Sequence, residues 1–203
     1  EDNSLRGIIL LYYAFAIMCT PLGADNAMNQ TTKFKIRDFT KLLLPVTYGD
    51  DMLCGVKEEL SSYFNNISYG KFVEEIYYMT FTTSDKKQHS SRFIDISQIS
   101  FLKRSFRYHP EIKRIVAPLD KDSLMKSLCY YLPSKEITPE EQLVQTCNSV
   151  MRELLFHCDT QVEYEEYREK FIRTLTENTR FGDEDIRPMF PTWIELIHKH
   201  SSN

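Results

Sequence analysis

The chain has 203 residues, 42% hydrophobic and 27% charged, with a net charge of −4. That make-up describes a soluble globular protein with one core or two lobes sharing an interface, and excludes a disordered or membrane-embedded chain and one drawn to nucleic acid by bulk charge. Its five cysteines, Cys19, Cys54, Cys129, Cys147 and Cys158, form an odd set without paired spacing, so neither a zinc site nor a disulfide framework is read and a reducing, cytosolic compartment fits.

From Asn3 to about Met18, Leu5, Ile8, Ile9, Tyr12, Tyr13, Ala16 and Ile17 recur at helical spacing and nearly all round, which predicts a helix covered on several sides. The run Ile8 to Cys19 is too short to span a membrane. The chain opens at Glu1 without an initiator methionine and is read as starting inside a longer polypeptide. Gly23 to Thr40 is rich in Asn, Gln and Thr and reads as a loop.

Two apolar runs follow, Leu42 to Val46 and Met52 to Val56, on either side of Tyr48-Gly49-Asp50-Asp51. This is the pattern of two strands joined by a tight hairpin turn, with Gly supplying the backbone freedom. Two carboxylates held at a hairpin tip offer hard oxygen ligands suited to Mg²⁺ or Mn²⁺. The same residues are also ordinary hairpin-turn chemistry, and a solvated turn would look alike.

Lys57 to Asn66 is ambiguous between a strand end and a short helix. Ser68 can cap a helix containing Phe72, Val73, Ile76, Tyr77 and Met79. A β-branched stretch then ends in the polar turn Ser84-Asp85-Lys86. Lys86 to Lys126 carries ten Lys and Arg residues against Asp95, Glu111, Asp120 and Asp122, a basic island that either tracks phosphates or is a solvated face. Within it lies Phe101-Leu102-Lys103-Arg104-Ser105-Phe106-Arg107, where apolar anchors flank cations. Beyond Asp122 the chain turns helical. One helix is stopped by Pro133, a second is opened by the capping box Thr138-Pro139-Glu140-Glu141, a third is capped by Thr160 with Glu163, and a last helix follows Thr192. His157-Cys158-Asp159 does not read as a protease constellation, since adjacent helical residues do not face each other.

Taken in order, these segments resemble the carboxy-terminal part of viral RNA-dependent RNA polymerases of the picornavirus-like group, insect dicistroviruses and iflaviruses most of all. Asn3-Ser4 with its apolar helix resembles the end of the family's B motif, and Tyr48 to Asp51 its C motif. Met79 to Lys86 is similar to the D motif with its acid-lysine pair, and Phe101 to Arg104 to the E motif. The helical remainder resembles the thumb.

The resemblance implies an α+β fold. Residues 1–108 would be the carboxy-terminal half of a polymerase palm, built of antiparallel hairpins with helices, and residues 109–203 a mainly helical thumb. It implies Asp50 as the principal C-motif ligand of Mg²⁺ or Mn²⁺ and Asp51 as a weaker one. Lys86 would donate a proton to departing pyrophosphate, Asn3 would sense the ribose 2′-hydroxyl, and Lys103 with Arg104 would grip the primer strand. The partners implied are an RNA template-primer, nucleoside triphosphates and the upstream fingers and palm segment of the same polyprotein. The place implied is the host cytoplasm at viral replication complexes. The A motif and the Ser-Gly start of the B motif would precede Glu1, so this chain alone is expected not to polymerise RNA. Two other classes stay open, a non-catalytic RNA-binding module and a helical protein-interaction fragment.

Overall fold

A computed structural model describes residues 2–83, 86–88 and 90–201. The chain divides into two compact units, Glu1–Asp95 and Ile96–Asn203. Both combine helices with two-stranded antiparallel hairpins, the α+β class expected. The Phe101–Arg104 hairpin falls within the second of these units.

In the first unit, helix α1 (Asp2–Cys19) is the central support. It is buried all round from Ala14 to Cys19. Nearer its start, Leu5, Ile9, Tyr12 and Tyr13 are exposed, so the covering expected on several sides holds only from Ala14 onward. No helix among the described residues is long and apolar enough to cross a membrane.

The polar stretch after α1 is ordered because it closes that helix. Asn29 Nδ2 donates to the Ile17 and Thr20 carbonyls at 2.7 and 3.2 Å, and Thr20 Oγ1 donates to Ala16 O at 2.7 Å. These bonds satisfy carbonyls that a helix end leaves without partners. Gly23 is required there, since a Cβ would lie 1.9 Å from Ile17 O. A short helix, α2 (Phe39–Leu42), leads into strands β1 (Leu43–Tyr48) and β2 (Asp51–Val56). Tyr12 and Phe15 pack on Phe39 with ring centroids 5.0 and 5.7 Å apart.

After α3 (Glu58–Ser61), helix α4 (Asn66–Tyr77) is capped by Asn65, three residues ahead of the expected Ser68. Asn65 Oδ1 accepts from the amides of Ile67 and Ser68, and Ser68 Oγ accepts from the Asn65 amide at 3.0 Å. Both residue types cap helices. The reciprocal bond makes Ser68 the third residue of the box and leaves Asn65 at its head. Leu11, Phe15, Met18, Phe39, Leu60, Phe64 and Phe72 form this unit's core.

The second unit begins with hairpins β3 (Ser100–Phe101) to β4 (Arg104–Ser105) and β5 (Arg107–His109) to β6 (Arg114–Val116). Helix α5 (Lys121–Leu128) follows, capped by Asp120, and ends before the expected stop at Pro133. The residues between, Tyr130, Tyr131 and Leu132, are exposed. Helices α6 (Pro139–Leu154), α7 (Gln161–Asn178), α8 (Asp183–Ile186) and α9 (Trp193–Ser201) complete the unit. Val150, Met151, Leu154, Tyr164, Ile172, Leu175, Phe190 and Leu196 fill its core. Buried His109 ties β5 to the end of α6. Its Nδ1 accepts from the Ile112 amide, so Nε2 carries the proton and donates to Leu155 O at 3.1 Å.

Cys19, Cys147 and Cys158 are buried, and burial pushes their thiols up to about 12, 11 and 12, which removes them as nucleophiles near neutral pH. The Thr138 and Glu141 capping box forms as the sequence predicts, with Thr138 N–H donating to the Glu141 carboxylate at 2.7 Å and the Glu141 amide to Thr138 Oγ1 at 3.3 Å. Thr138→Ala is therefore expected to lower the stability of the second unit by about 1 kcal/mol, read as a shift of the urea midpoint at unchanged slope.

Candidate active site

Strand β1 pairs with β2 from Leu43 opposite Val56 to Tyr48 opposite Asp51, leaving Gly49 and Asp50 as a two-residue turn. Gly49 has φ +61°, the left-handed value that a twist-matched hairpin demands of its first central residue. Register then fixes the faces. Leu43, Pro45, Thr47, Met52, Cys54 and Val56 share the side that meets the core, where Leu43 is buried and Met52, Cys54 and Val56 pack against it. The opposite side carries Leu44, Val46, Tyr48, Asp51 and Leu53, of which Leu44 and Tyr48 are 74% and 67% exposed. An apolar outer face with a carboxylate at its end is thus uncovered.

Asp50 and Asp51 are both exposed, and no hydrogen bond or ion pair among the described residues engages either carboxylate. Their oxygens are the right donors for a hard divalent cation. Two carboxylates are fewer than such a cation's shell requires, and among the described residues no group of three or more His, Cys, Asp or Glu is present to complete one.

The turn is held by the start of α1. The Gly49 amide donates to Ser4 Oγ at 2.9 Å, and Thr47 Oγ1 donates to the Ser4 carbonyl at 2.9 Å. Gly7, one turn on, permits this approach, since a Cβ there would stand 3.2 Å from Thr47 Cγ2. The structure therefore brings the Asn3-Ser4 segment to the acidic turn, with Asn3 exposed beside it in sequence. The sequence marks Ser4 only as part of the Asn3-Ser4 segment and gives no sign of Gly7 or Thr47, because the contact between them joins positions more than forty residues apart.

Lys86 lies on the loop that follows α4. Phe81 anchors that loop edge-on against Tyr69, with centroids 5.0 Å apart. The Lys86 amide donates to Thr83 O at 2.9 Å, and Lys86 has φ +63° with its side chain exposed. A left-handed non-glycine residue costs about 1–2 kcal/mol. Asp85, the acid of the expected acid-lysine pair, lies outside the described residues.

In the second unit, Leu102 and Lys103 form the turn of the β3–β4 hairpin, with φ +54° and +63°. Two consecutive non-glycine residues in that region make a strained turn that its surroundings must hold. Asp120 N–H donates to Lys103 O at 2.8 Å and Ser105 N–H to Pro118 O at 3.2 Å. The Lys103 side chain is exposed. Arg104 is placed otherwise. Its guanidinium donates to both oxygens of Glu153 at 2.9 and 2.7 Å, and to Ala117 O at 2.7 Å. Burial pushes the Glu153 carboxyl up, but the Arg104 bonds and charge outweigh it and hold it below the usual range, while the bonds to Glu153 raise Arg104. Arg107 is likewise occupied, by Asp159 and by His157 O. Part of the basic island is therefore neutralised internally.

Residues 2–177 match the sequence profile of the viral RNA-dependent RNA polymerases. The chain belongs to this family. Among similar proteins, the RNA1 polyprotein of Broad bean wilt virus 2 is 33% identical over 173 residues, 85% of this chain and 8% of that polyprotein. The replicase polyprotein of Cricket paralysis virus is 29% identical over 133 residues, 66% of this chain and 7% of the relative. The chain thus spans less than a tenth of the length of either relative.

Two outcomes follow from this geometry. Ser4→Ala removes the acceptor of the Gly49 amide, so hydrogen exchange at that amide is expected to quicken about fivefold, the worth of one hydrogen bond, as measured by nuclear magnetic resonance. Because the folded Glu153 carboxyl titrates below its unfolded value, its pairing with Arg104 contributes fully above the ordinary glutamate range and is lost as pH falls through the lower folded value. An acid titration should therefore leave the Lys103 amide resonance unchanged down to that range and shift it below.

Proposed function

We propose that this chain is the carboxy-terminal part of the catalytic domain of a picornavirus-like RNA polymerase, the end of the palm followed by the thumb, acting in template-directed nucleotidyl transfer. The observation that carries the reading is the paired exposed carboxylates of Asp50 and Asp51 at a turn fixed to the helix whose first turn holds Asn3 and Ser4. That arrangement lies within the family match at residues 2–177.

In this reading Asp50 is the principal ligand of Mg²⁺ or Mn²⁺ and Asp51 a weaker one. A pair of such ions, when bound, stabilises the attacking and leaving oxygens of phosphoryl transfer. The protein residues do the rest. Asn3 reads the ribose 2′-hydroxyl of the incoming nucleoside triphosphate, and Lys86 offers a proton to the leaving pyrophosphate. Lys103 holds the primer strand through phosphate, a contact that carries no sequence information and so suits an enzyme that must copy any template.

The upstream part of the polyprotein completes the site. Its strand would cover the apolar outer face of Leu44, Val46 and Tyr48, since a strand apolar on both sides is built to be covered on both. The active assembly is placed at replication complexes in the host cytoplasm.

The isolated chain is expected to give no template-dependent incorporation in primer extension, while a polypeptide restoring the upstream segment does. In that longer polypeptide Asp50→Asn is expected to lower incorporation by about a thousandfold, the loss of several kcal/mol of charge stabilisation. Salt-sensitive RNA binding that is lost in Lys103→Ala/Arg104→Ala and indifferent to Asp50→Ala, with no incorporation from the longer polypeptide either, would favour a non-catalytic RNA-binding module.

A further inference from the structure

We infer that Arg104 and Glu153 form a positioning clamp that holds the Leu102-Lys103 turn in its left-handed form, so that Lys103 alone presents the hairpin's charge to RNA phosphate. The inference rests on the RNA-gripping role proposed above for this hairpin and reassigns one of its two cations.

The β3–β4 hairpin has only two residue pairs, Ser100 with Ser105 and Phe101 with Arg104. Both residues of its turn sit at positive φ without being glycine. Such a hairpin does not hold itself, because short two-stranded ribbons are marginal and the turn is strained. Its support comes from outside. The backbone supplies the Asp120 N–H on Lys103 O. The side chains supply the two-pronged pairing of Arg104 with Glu153, whose side chains are 36% and 24% exposed. Arg104 directly follows Lys103 and pairs with Phe101 across the ribbon, so fixing its guanidinium fixes the strand that closes the turn.

Glu153 lies in the last turn of α6, where the helix's negative end disfavours a carboxylate. Its place there is explained by the partner it holds. A planar guanidinium matched to both carboxylate oxygens is a geometric fixture, whereas an exposed lysine is a mobile point charge. An arginine committed in this way would have to break two charge-assisted bonds and leave Glu153 half-buried before it could reach a phosphate.

The test measures binding of the 203-residue chain to a fluorescein-labelled, hairpin-primed RNA with a single-stranded overhang, across a salt series. If Arg104 gripped phosphate, Glu153→Gln would free it and remove a repelling charge, so binding would tighten and its salt dependence would steepen. The clamp predicts the reverse. Glu153→Gln weakens binding about fivefold, with the slope of log affinity against log salt flatter by about 0.7–0.9, the loss of one phosphate contact. In a Lys103→Ala background the same substitution has no further effect, because it acts through Lys103. The exchanged pair Arg104→Glu with Glu153→Arg restores affinity to within about twofold, an outcome incompatible with a phosphate-gripping Arg104.

Tighter binding by Glu153→Gln, or losses that add to those of Lys103→Ala, overturn the clamp while leaving the RNA role of the hairpin standing. Wild-type chain without salt-sensitive affinity for this RNA overturns the RNA role itself. Circular dichroism on each variant reports folding, and should the exchanged pair fail to fold, the Lys103→Ala and Glu153→Gln cycle decides alone.

Discussion

The first unit depends on the close approach of α1 to β1. A two-stranded hairpin has too little apolar area to be stable in water unless something packs on one face. Here that face is taken by a helix that is buried all round from Ala14 to Cys19 and whose first half touches the hairpin through Gly7 and Ser4. The missing side chain of Gly7 lets the two backbones come together, and the bonds from Thr47 and Gly49 to Ser4 then set their register. A carboxylate pair at a free hairpin tip would move with the ribbon. Here the turn that carries it is tied to the first turn of a helix, beside the exposed Asn3.

The second unit uses the same device with other chemistry. Its hairpin tip is cationic, its turn is more strained than the glycine-bearing one, and its fastening is correspondingly stronger. A neutral serine suffices where the turn residue is Gly49. A charge-assisted bidentate pair and a backbone bond from the cap of α5 are found where the turn residues are Leu102 and Lys103. The contact boundary between Asp95 and Ile96 is consistent with this, because the hairpin's fastenings are to Ala117, Asp120 and Glu153, all later in the chain.

The parts of this architecture written in local sequence were legible. Thr138 and Glu141 form the predicted reciprocal box, Thr160 caps its helix by accepting from the Glu163 amide while the Glu163 carboxylate accepts from the Asp159 amide, and the apolar runs beside Gly49 pair as a hairpin with a two-residue turn. What escaped were features set at long range or by competition. Ser4 reaches Gly49 across 45 positions and Arg104 reaches Glu153 across 49, distances over which neither periodicity nor capping rules speak. Asn65 and Ser68 are both competent caps, and only tertiary placement chose between them. The apolar start of α1 predicts covering, yet Leu5 and Ile9 are exposed, since hydrophobic pattern reports what a segment can bury and not what is present to bury it. Glu153 did leave one trace, an acid in the last turn of a helix, where dipole and charge disagree.

The basic island shows why counting cations overstates an RNA-facing surface. Of the residues between Lys86 and Lys126, Arg104 and Arg107 are turned inward to Glu153, Asp159 and backbone carbonyls, while Lys103, Lys113, Lys121 and Lys126 are exposed. Arg92 and Arg114 are exposed as well, so the contrast is not one of residue type across the island; at the neighbours Lys103 and Arg104 it follows the chemistry of the two side chains. Guanidinium is planar and weakly hydrated, so it loses little on being fixed against a carboxylate and gains two directed bonds. Ammonium is strongly hydrated and compact, so it is cheapest left in water on a flexible stem, where it can meet a phosphate at any position along a strand. Adjacent Lys103 and Arg104 thus divide one task. The arginine is spent on holding the backbone, and the lysine's position becomes definite because its neighbour's is.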